Sequence, residues 1–348
     1  MSQKAGLPMT YSAELAATTQ ALLAPGKGLL AADESFPSIE KRFKEVGLPS
    51  TEATRLAYRS MLLGAPDLNR YISGVILFDE TIHQKIGRMP VVEALLNRQI
   101  MPGIKVDKGT AALPGLPGEH VTEGLDGLDV RLSDYRNLGA RFTKWRAVIT
   151  IGQDIPTHAA IATNARILAM FAAMSQEAGL VPIVEPEILM DGSHTSERCE
   201  EVTTLTLRTV FSALAEHHVA YEHMLLKTSM VVAGADCPQQ AGLDEVATRT
   251  LRCFGNSVPA AIPGIVFLSG GQSEDVATAH LNAICARPHP AWVISFSFGR
   301  ALQAPALKIW QGQGEQVVAA QHALMQRAQA NSQALTGAFK PHFDSKRQ

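Results

Sequence analysis

A chain of 348 residues with 46% apolar and 18% charged side chains can bury a substantial core and is not a disordered segment. Its formal net charge of −2 argues against bulk affinity for nucleic acid, yet leaves room for a local basic pocket that takes an anionic small molecule. No apolar run approaches the roughly 20 residues of a membrane span, and MSQKAGLPMTYSAELAATTQ has neither the apolar core nor the cleavage pattern of a signal peptide.

In chain order, an N-terminal helical segment is followed by short β-rich runs that alternate with helical stretches. The runs are 26–35, 73–80, 102–109, 140–149, 180–189, 223–230, 263–271 and 291–299. They read as nearly continuous apolar strands, as a parallel sheet buried on both faces requires. Between the fourth and fifth, Ile161, Ala165, Leu168 and Ala172 share a helix face, and Gly179 stops the helix. Leu207, Val210, Phe211 and Leu214 form a second such stripe. Ser273 is a helix N-cap, with Glu274 and Asp275 in the first turn where the dipole favours acids. Length alone permits two domains, but eight β/α units predict one α/β domain over 1–348, a (β/α)8 TIM barrel. Its additions are the N-terminal helical extension, a Gly/Pro-rich connection over 109–128, and a C-terminal tail from about 332 to 348.

The four cysteines are scattered without CxxC spacing, which suits reduced thiols in the cytoplasm. The eleven histidines are equally dispersed, and the adjacent pair His217-His218 reads as polar residues at a helix end. No ligand set for a metal-dependent mechanism stands out, so no cofactor is expected.

Active sites of this fold lie at the C-terminal ends of the strands, and polar residues gather there. The first strand offers Asp33, the third Lys105, the fourth Lys144 and Arg146. The fifth offers Glu185 and Glu187, the sixth Lys227, the seventh Ser269, and Gly299-Arg300 follow the eighth. Lys144 and Arg146 are two apart and share a face, as do Glu185 and Glu187. Pointing inward, they converge on one pocket. A free lysine is under about 0.1% neutral at pH 7. A buried lysine crowded by Lys144 and Arg146 would lose its proton more readily and act as a Schiff-base nucleophile. The carboxylates would move the protons that imine chemistry requires.

Ser269 and the N–H groups of Gly270 and Gly271, with Gly299 and Arg300, match the phosphate site that recurs after strands seven and eight of this fold. The cluster SIEKR (Ser38, Lys41, Arg42) is either an exposed helix face or, with Lys105, the holder of a second phosphate.

Together the stretches LAADES, SGVILFDE, GIKVDKG, GLDGL, KWR, VPIVEPEIL, LLK, FLSGGQS, FGRALQ and ALKIW resemble class I fructose-bisphosphate aldolase, in that family's order, over roughly residues 20–335. The resemblance implies reversible, metal-independent cleavage of fructose 1,6-bisphosphate to dihydroxyacetone phosphate and glyceraldehyde 3-phosphate, in glycolysis and gluconeogenesis. It implies Lys227 as the Schiff-base residue and Glu185 as its main acid/base. Asp33 would take the C4 hydroxyl proton with help from Lys144, and Glu187 would hold the charges around Lys227. Ser269, Gly270, Gly271, Gly299 and Arg300 would bind the C1 phosphate, and Ser38, Arg42, Lys105 and Arg146 would serve the C6 side. It also implies a cytoplasmic homotetramer.

Thr228-Ser229 stands where the family commonly has Pro-Asn, so a looser loop is expected beyond Lys227. The terminus GAFKPHFDSKRQ lacks the final tyrosine of vertebrate members, and His342 or water would have to replace its part in proton exchange. The alternatives are a Schiff-base enzyme for another sugar phosphate, such as fructose 1-phosphate or sedoheptulose 1,7-bisphosphate, and a barrel retained as a non-catalytic scaffold.

Overall fold

The structure is a computed structural model that describes residues 9–288 and 291–340. Eight parallel strands run Gly28–Ala32, Ile72–Leu77, Met101–Lys105, Phe142–Ile149, Val181–Ile188, Leu225–Thr228, Gly264–Phe267 and Val293–Phe298. Each pairs with the next and the last with the first, so the sheet closes. They are called the first to eighth strands below; six fall within the predicted apolar runs, and the second and third begin one residue before theirs. The first, second, fifth, sixth and seventh are buried at every position, which explains why their sequences do not alternate.

The closed sheet separates two cores. Inside it, Leu29, Ile76, Phe142, Ile183, Leu225 and Val266 form one cluster with Leu15, Leu22 and Leu23. Leu15 and Leu22 lie on the helix Met9–Leu22, so the N-terminal extension supplies side chains to the barrel interior. Phe142 needs the room left by Gly103, where an added Cβ would stand 2.2 Å from its ring. Gly103→Ala would therefore force that ring aside. The second core lies between strands and helices, where both predicted stripes are buried: Ile161, Ala165, Leu168 and Ala172 on His158–Glu177, and Leu207, Val210, Phe211 and Leu214 on Ser196–Glu216. Thr157 and Thr195 cap these helices by accepting the N–H of Ala160 and Arg198. Ser273 accepts the N–H of Val276, as its spacing predicts.

The additions to the barrel are more ordered than their sequences suggest. The 109–128 connection carries structure that its composition did not announce: Thr110–Ala112 and His120–Thr122 form an antiparallel hairpin, and Thr122 Oγ1 donates to Arg146 O at 2.8 Å. The chain near residue 332 is not yet tail. The helix Val317–Ala334 passes through it, anchored by buried Asn331, whose Oδ1 accepts from Thr278 Oγ1 at 3.0 Å, and Phe339 N–H donates to Asn282 Oδ1 at 2.9 Å. Residues 341–348, His342 included, lie outside the described residues.

Nor is the loop beyond Lys227 loose. Ser229 Oγ donates to Ile188 O at 3.0 Å, and Val231 N–H to Thr250 Oγ1 at 3.0 Å. Further on, Gly234 N–H reaches His194 O at 2.8 Å and Ala235 N–H reaches Met190 O at 2.7 Å. Polar side chains and backbone bonds thus do the pinning expected of proline. Ser229→Ala leaves a buried carbonyl short of a donor and is expected to lower unfolding free energy by about 1 kcal/mol, measured by urea denaturation. Among the described residues no helix is long and apolar enough to cross a membrane.

Candidate active site

The strand ends open into a cavity of about 850 Å³. Eight lysines and arginines and six aspartates and glutamates line it. A net positive hollow in a chain that is negative overall favours an anionic occupant.

Strand register builds the centre. Arg146 sits opposite Glu185 and Val148 opposite Glu187 across the fourth and fifth strands, and Lys105 sits opposite Lys144 across the third and fourth. Lys227 is 4% exposed. Its Nζ lies 3.1 Å from Glu185 Oε1. Glu185 Oε2 lies 3.4 Å from Lys144 Nζ, and Lys144 Nζ lies 2.6 Å from Asp33 Oδ2. Four charged groups therefore form one continuous chain, Asp33–Lys144–Glu185–Lys227. Glu185 Oε2 accepts no hydrogen bond among the described residues, so the 3.4 Å ion pair with Lys144 is what compensates it. Burial alone would raise the Asp33 pKa, but the Lys144 and Lys227 ammoniums outweigh it and hold the carboxyl well below the usual range. Burial likewise opposes the charge on Lys144, and Asp33 and Glu185 overcome it, so that its pKa is raised.

Lys144, expected as a cation near Lys227, stands on the other oxygen of the same Glu185 carboxylate, whereas Arg146 Nε is paired with Glu187. Buried charges need partners, and the strands supply them in alternating sign.

The flanks are anion sites in form. Gly270 and Gly271 turn through φ 28° and 89°, a region glycine enters freely. Ser269 and Gly270 face the cavity. Gly271 does not line it, and an added Cβ there would meet Met190 at 3.3 Å. Across from this turn, Gly299 caps the helix Arg300–Trp310, whose N-terminal end faces the cavity through Gly299 and Arg300. On the other side, Lys105 Nζ donates to Asp107 Oδ1 at 2.6 Å, and Asp107 Oδ2 accepts the Arg146 N–H at 3.2 Å. This joins Lys105 and Arg146 into one unit.

Arg42 does not belong to that unit, contrary to its predicted grouping. It lies on the helix Phe36–Lys44 after the first strand and pairs with Glu34. Its Nη2 lies 3.8 Å from the position a Cβ on Gly299 would take. Because the first strand neighbours the eighth, Arg42 falls on the Gly299–Arg300 side. Ser38, one turn earlier on the helix, also lines the cavity. Among the described residues, no group of three or more His, Cys, Asp or Glu is disposed to hold a metal ion.

The family profile of class-I fructose-bisphosphate aldolase matches residues 14–348. The chain belongs to this family. It is 52% identical over 329 residues to the probable fructose-bisphosphate aldolase class 1 of Xanthomonas campestris pv. campestris, covering 94% of this chain and 98% of the relative. It is 48% identical over 334 residues to the fructose-bisphosphate aldolase of Dictyostelium discoideum, covering 94% and 93%. A solved fructose-bisphosphate aldolase from Plasmodium falciparum, in complex with TRAP and a small-molecule inhibitor, superposes with a TM-score of 0.94 at 48% identity, covering 96% of this chain and 97% of that one.

Four further residues in or beside this cavity are absent from the sequence-based expectations. Asp107 was findable, since it stands two positions past Lys105 and shares its face by the parity that singled out Lys144 and Arg146. Glu34 was not, because it follows Asp33 and alternation sends it away from the barrel axis. There it is buried between Arg42 and Arg59. Burial would raise its pKa, but the two guanidiniums lower it. Arg59 comes from the helix Glu52–Leu63, far along the chain. Ser297 lines the cavity with a buried hydroxyl that has no hydrogen-bond partner among the described residues, and nothing in its apolar run marked it.

Proposed function

We propose that this chain cleaves fructose 1,6-bisphosphate reversibly to dihydroxyacetone phosphate and glyceraldehyde 3-phosphate, through an imine on Lys227 and without a metal ion, as a step of glycolysis and gluconeogenesis. The observation that carries this reading is the chain Asp33–Lys144–Glu185–Lys227 inside a cavity with cationic ends.

Lys227 Nζ, having passed a proton to Glu185 3.1 Å away, attacks the C2 carbonyl. Glu185 protonates the resulting alkoxide and then carries a proton from the attached nitrogen to that hydroxyl, so that water leaves and a C2=N iminium remains. Asp33 then accepts the C4 hydroxyl proton. The C3–C4 bond breaks with its electrons moving onto C3 and into the iminium, which becomes an enamine as glyceraldehyde 3-phosphate departs. Protonation at C3 and hydrolysis release dihydroxyacetone phosphate and restore the lysine. The iminium nitrogen is the electron sink, so the step needs no Lewis acid. Lys144, between Asp33 and Glu185, lets proton changes at one carboxylate be felt at the other, and Glu187 neutralises Arg146 beside them.

In this reading Ser269, Gly270, Gly299, Arg300 and Arg42 serve the C1 phosphate, and Gly271 shapes the turn that presents the first two. Lys105 and Arg146, with Ser38, serve C6. The working form is a cytoplasmic homotetramer. The test is a comparison of kcat/KM for fructose 1,6-bisphosphate, fructose 1-phosphate and sedoheptulose 1,7-bisphosphate. Highest efficiency with the first supports the reading, and a clear preference for another replaces it. Arg300→Ala is expected to raise KM for the bisphosphate about tenfold, the worth of a charge-assisted hydrogen bond. It should leave kcat/KM for fructose 6-phosphate, which has no C1 phosphate, nearly unchanged. Steady-state kinetics on both substrates checks it.

A further inference from the structure

Gln272 ends the turn that begins at Ser269. Its N–H donates to Ser269 O at 3.0 Å and closes that turn. Its side chain folds inward, where Oε1 lies 2.6 Å from Nδ1 of His280 on the helix Glu274–Cys285. Its Nε2 lies 3.8 Å from Sδ of Met230, three residues past Lys227. A carboxamide oxygen only accepts, so Nδ1 of His280 carries the proton. Burial pushes the imidazole pKa down to about 4, which keeps the ring neutral at pH 7.

The mechanism above uses neither residue. Two apolar side chains would fill this space without desolvating an amide and an imidazole, so the polar pair calls for a reason. Position supplies one. Gln272 is tied through its backbone to the turn, through its carboxamide to a rigid helix, and by contact to the loop that follows Lys227.

We propose that Gln272 and His280 are positioning residues: their buried hydrogen bond holds the Ser269–Gly271 turn at the separation from Lys227 that lets one dihydroxyacetone phosphate unit engage both. This rests on the assignment of the imine to Lys227 and of the C1 phosphate to the turn. Productive geometry tolerates little error, and such supporting contacts set it.

The test compares full-length wild type with His280→Leu, Gln272→Met and His280→Asn. Leucine and methionine remove the hydrogen bond, whereas the asparagine amide can still donate it. The readouts are KM for dihydroxyacetone phosphate and for glyceraldehyde 3-phosphate in the condensation direction. His280→Leu and Gln272→Met are expected to raise the first about five- to tenfold and to leave the second within about twofold. His280→Asn should restore both. An equal rise for the two triose phosphates, or no rise for either, overturns the proposal. If His280→Leu does not fold, Gln272→Met decides, and failure of both to fold assigns the pair a purely structural role. A wild type that forms no borohydride-stable adduct with dihydroxyacetone phosphate would instead mean that the Lys227 reading has failed.

Discussion

Lys227→Met is expected to reduce kcat by about four orders of magnitude or more, since the amine proposed to form the imine is gone while the cavity and the proposed phosphate sites remain. Lys144 does not substitute, because it is held between Asp33 and Glu185 with its pKa raised. The fold should survive, as Glu185 keeps Lys144 as a counter-charge and methionine fills most of the lysine stem's volume. Circular dichroism and competitive binding of dihydroxyacetone phosphate check that the variant is folded. Lys227→Arg retains the charge but not the nucleophile and is expected to be equally inactive. If it kept more than about one per cent of kcat, the imine would not lie on the reaction path.

Asp33→Asn is expected to lower cleavage about a thousandfold, within the range of a lost general base, while imine formation continues. The two steps use opposite ends of the charged chain: Asp33 lies against Lys144, and Lys227 lies against Glu185. Borohydride should therefore still trap a dihydroxyacetone phosphate adduct, whereas release of glyceraldehyde 3-phosphate slows. Stability adds a second readout. The Asp33 carboxyl is lowered in the folded protein, so its contribution is fully present above the unfolded pKa near 4 and is lost as pH falls through the folded value. The asparagine variant is expected to be less stable at pH 7 and to lose less stability than wild type on going from pH 4 towards pH 2. Denaturant titrations across that range measure it. Equal acid sensitivity would show that the Lys144 pair does not hold Asp33 ionised.

The fold was legible because every barrel strand carries its own signal. Runs such as VPIVEPEIL are apolar on both faces, helical stripes separate them, and eight repeats leave one closed solution. The inward charges were legible for the same reason: Lys144, Arg146, Glu185, Glu187 and Lys227 interrupt runs that are otherwise dry. What stayed hidden was pairing. Strand parity says that Glu185 faces the axis, but not that it stands between two amines. The family resemblance groups Arg42 with Lys105, yet closure of the barrel sets the first strand beside the eighth and carries Arg42 to Gly299. Arg59 and His280 lie on helices whose local sequence reads as outer core. Their roles come from tertiary contacts that no spacing encodes. The missing proline at Thr228-Ser229 suggests a looser link, but Ile188 O, the acceptor that secures Ser229, lies on another strand.

The central claim is that Lys227 forms an imine with the ketone carbon without help from a metal. The most direct measurement is to incubate the protein with fructose 1,6-bisphosphate and excess EDTA, reduce with borohydride, and map the adduct by mass spectrometry. The account predicts a reduced three-carbon phosphate adduct on Lys227 and turnover unaffected by EDTA. No adduct, an adduct on another lysine, or activity abolished by EDTA would contradict it.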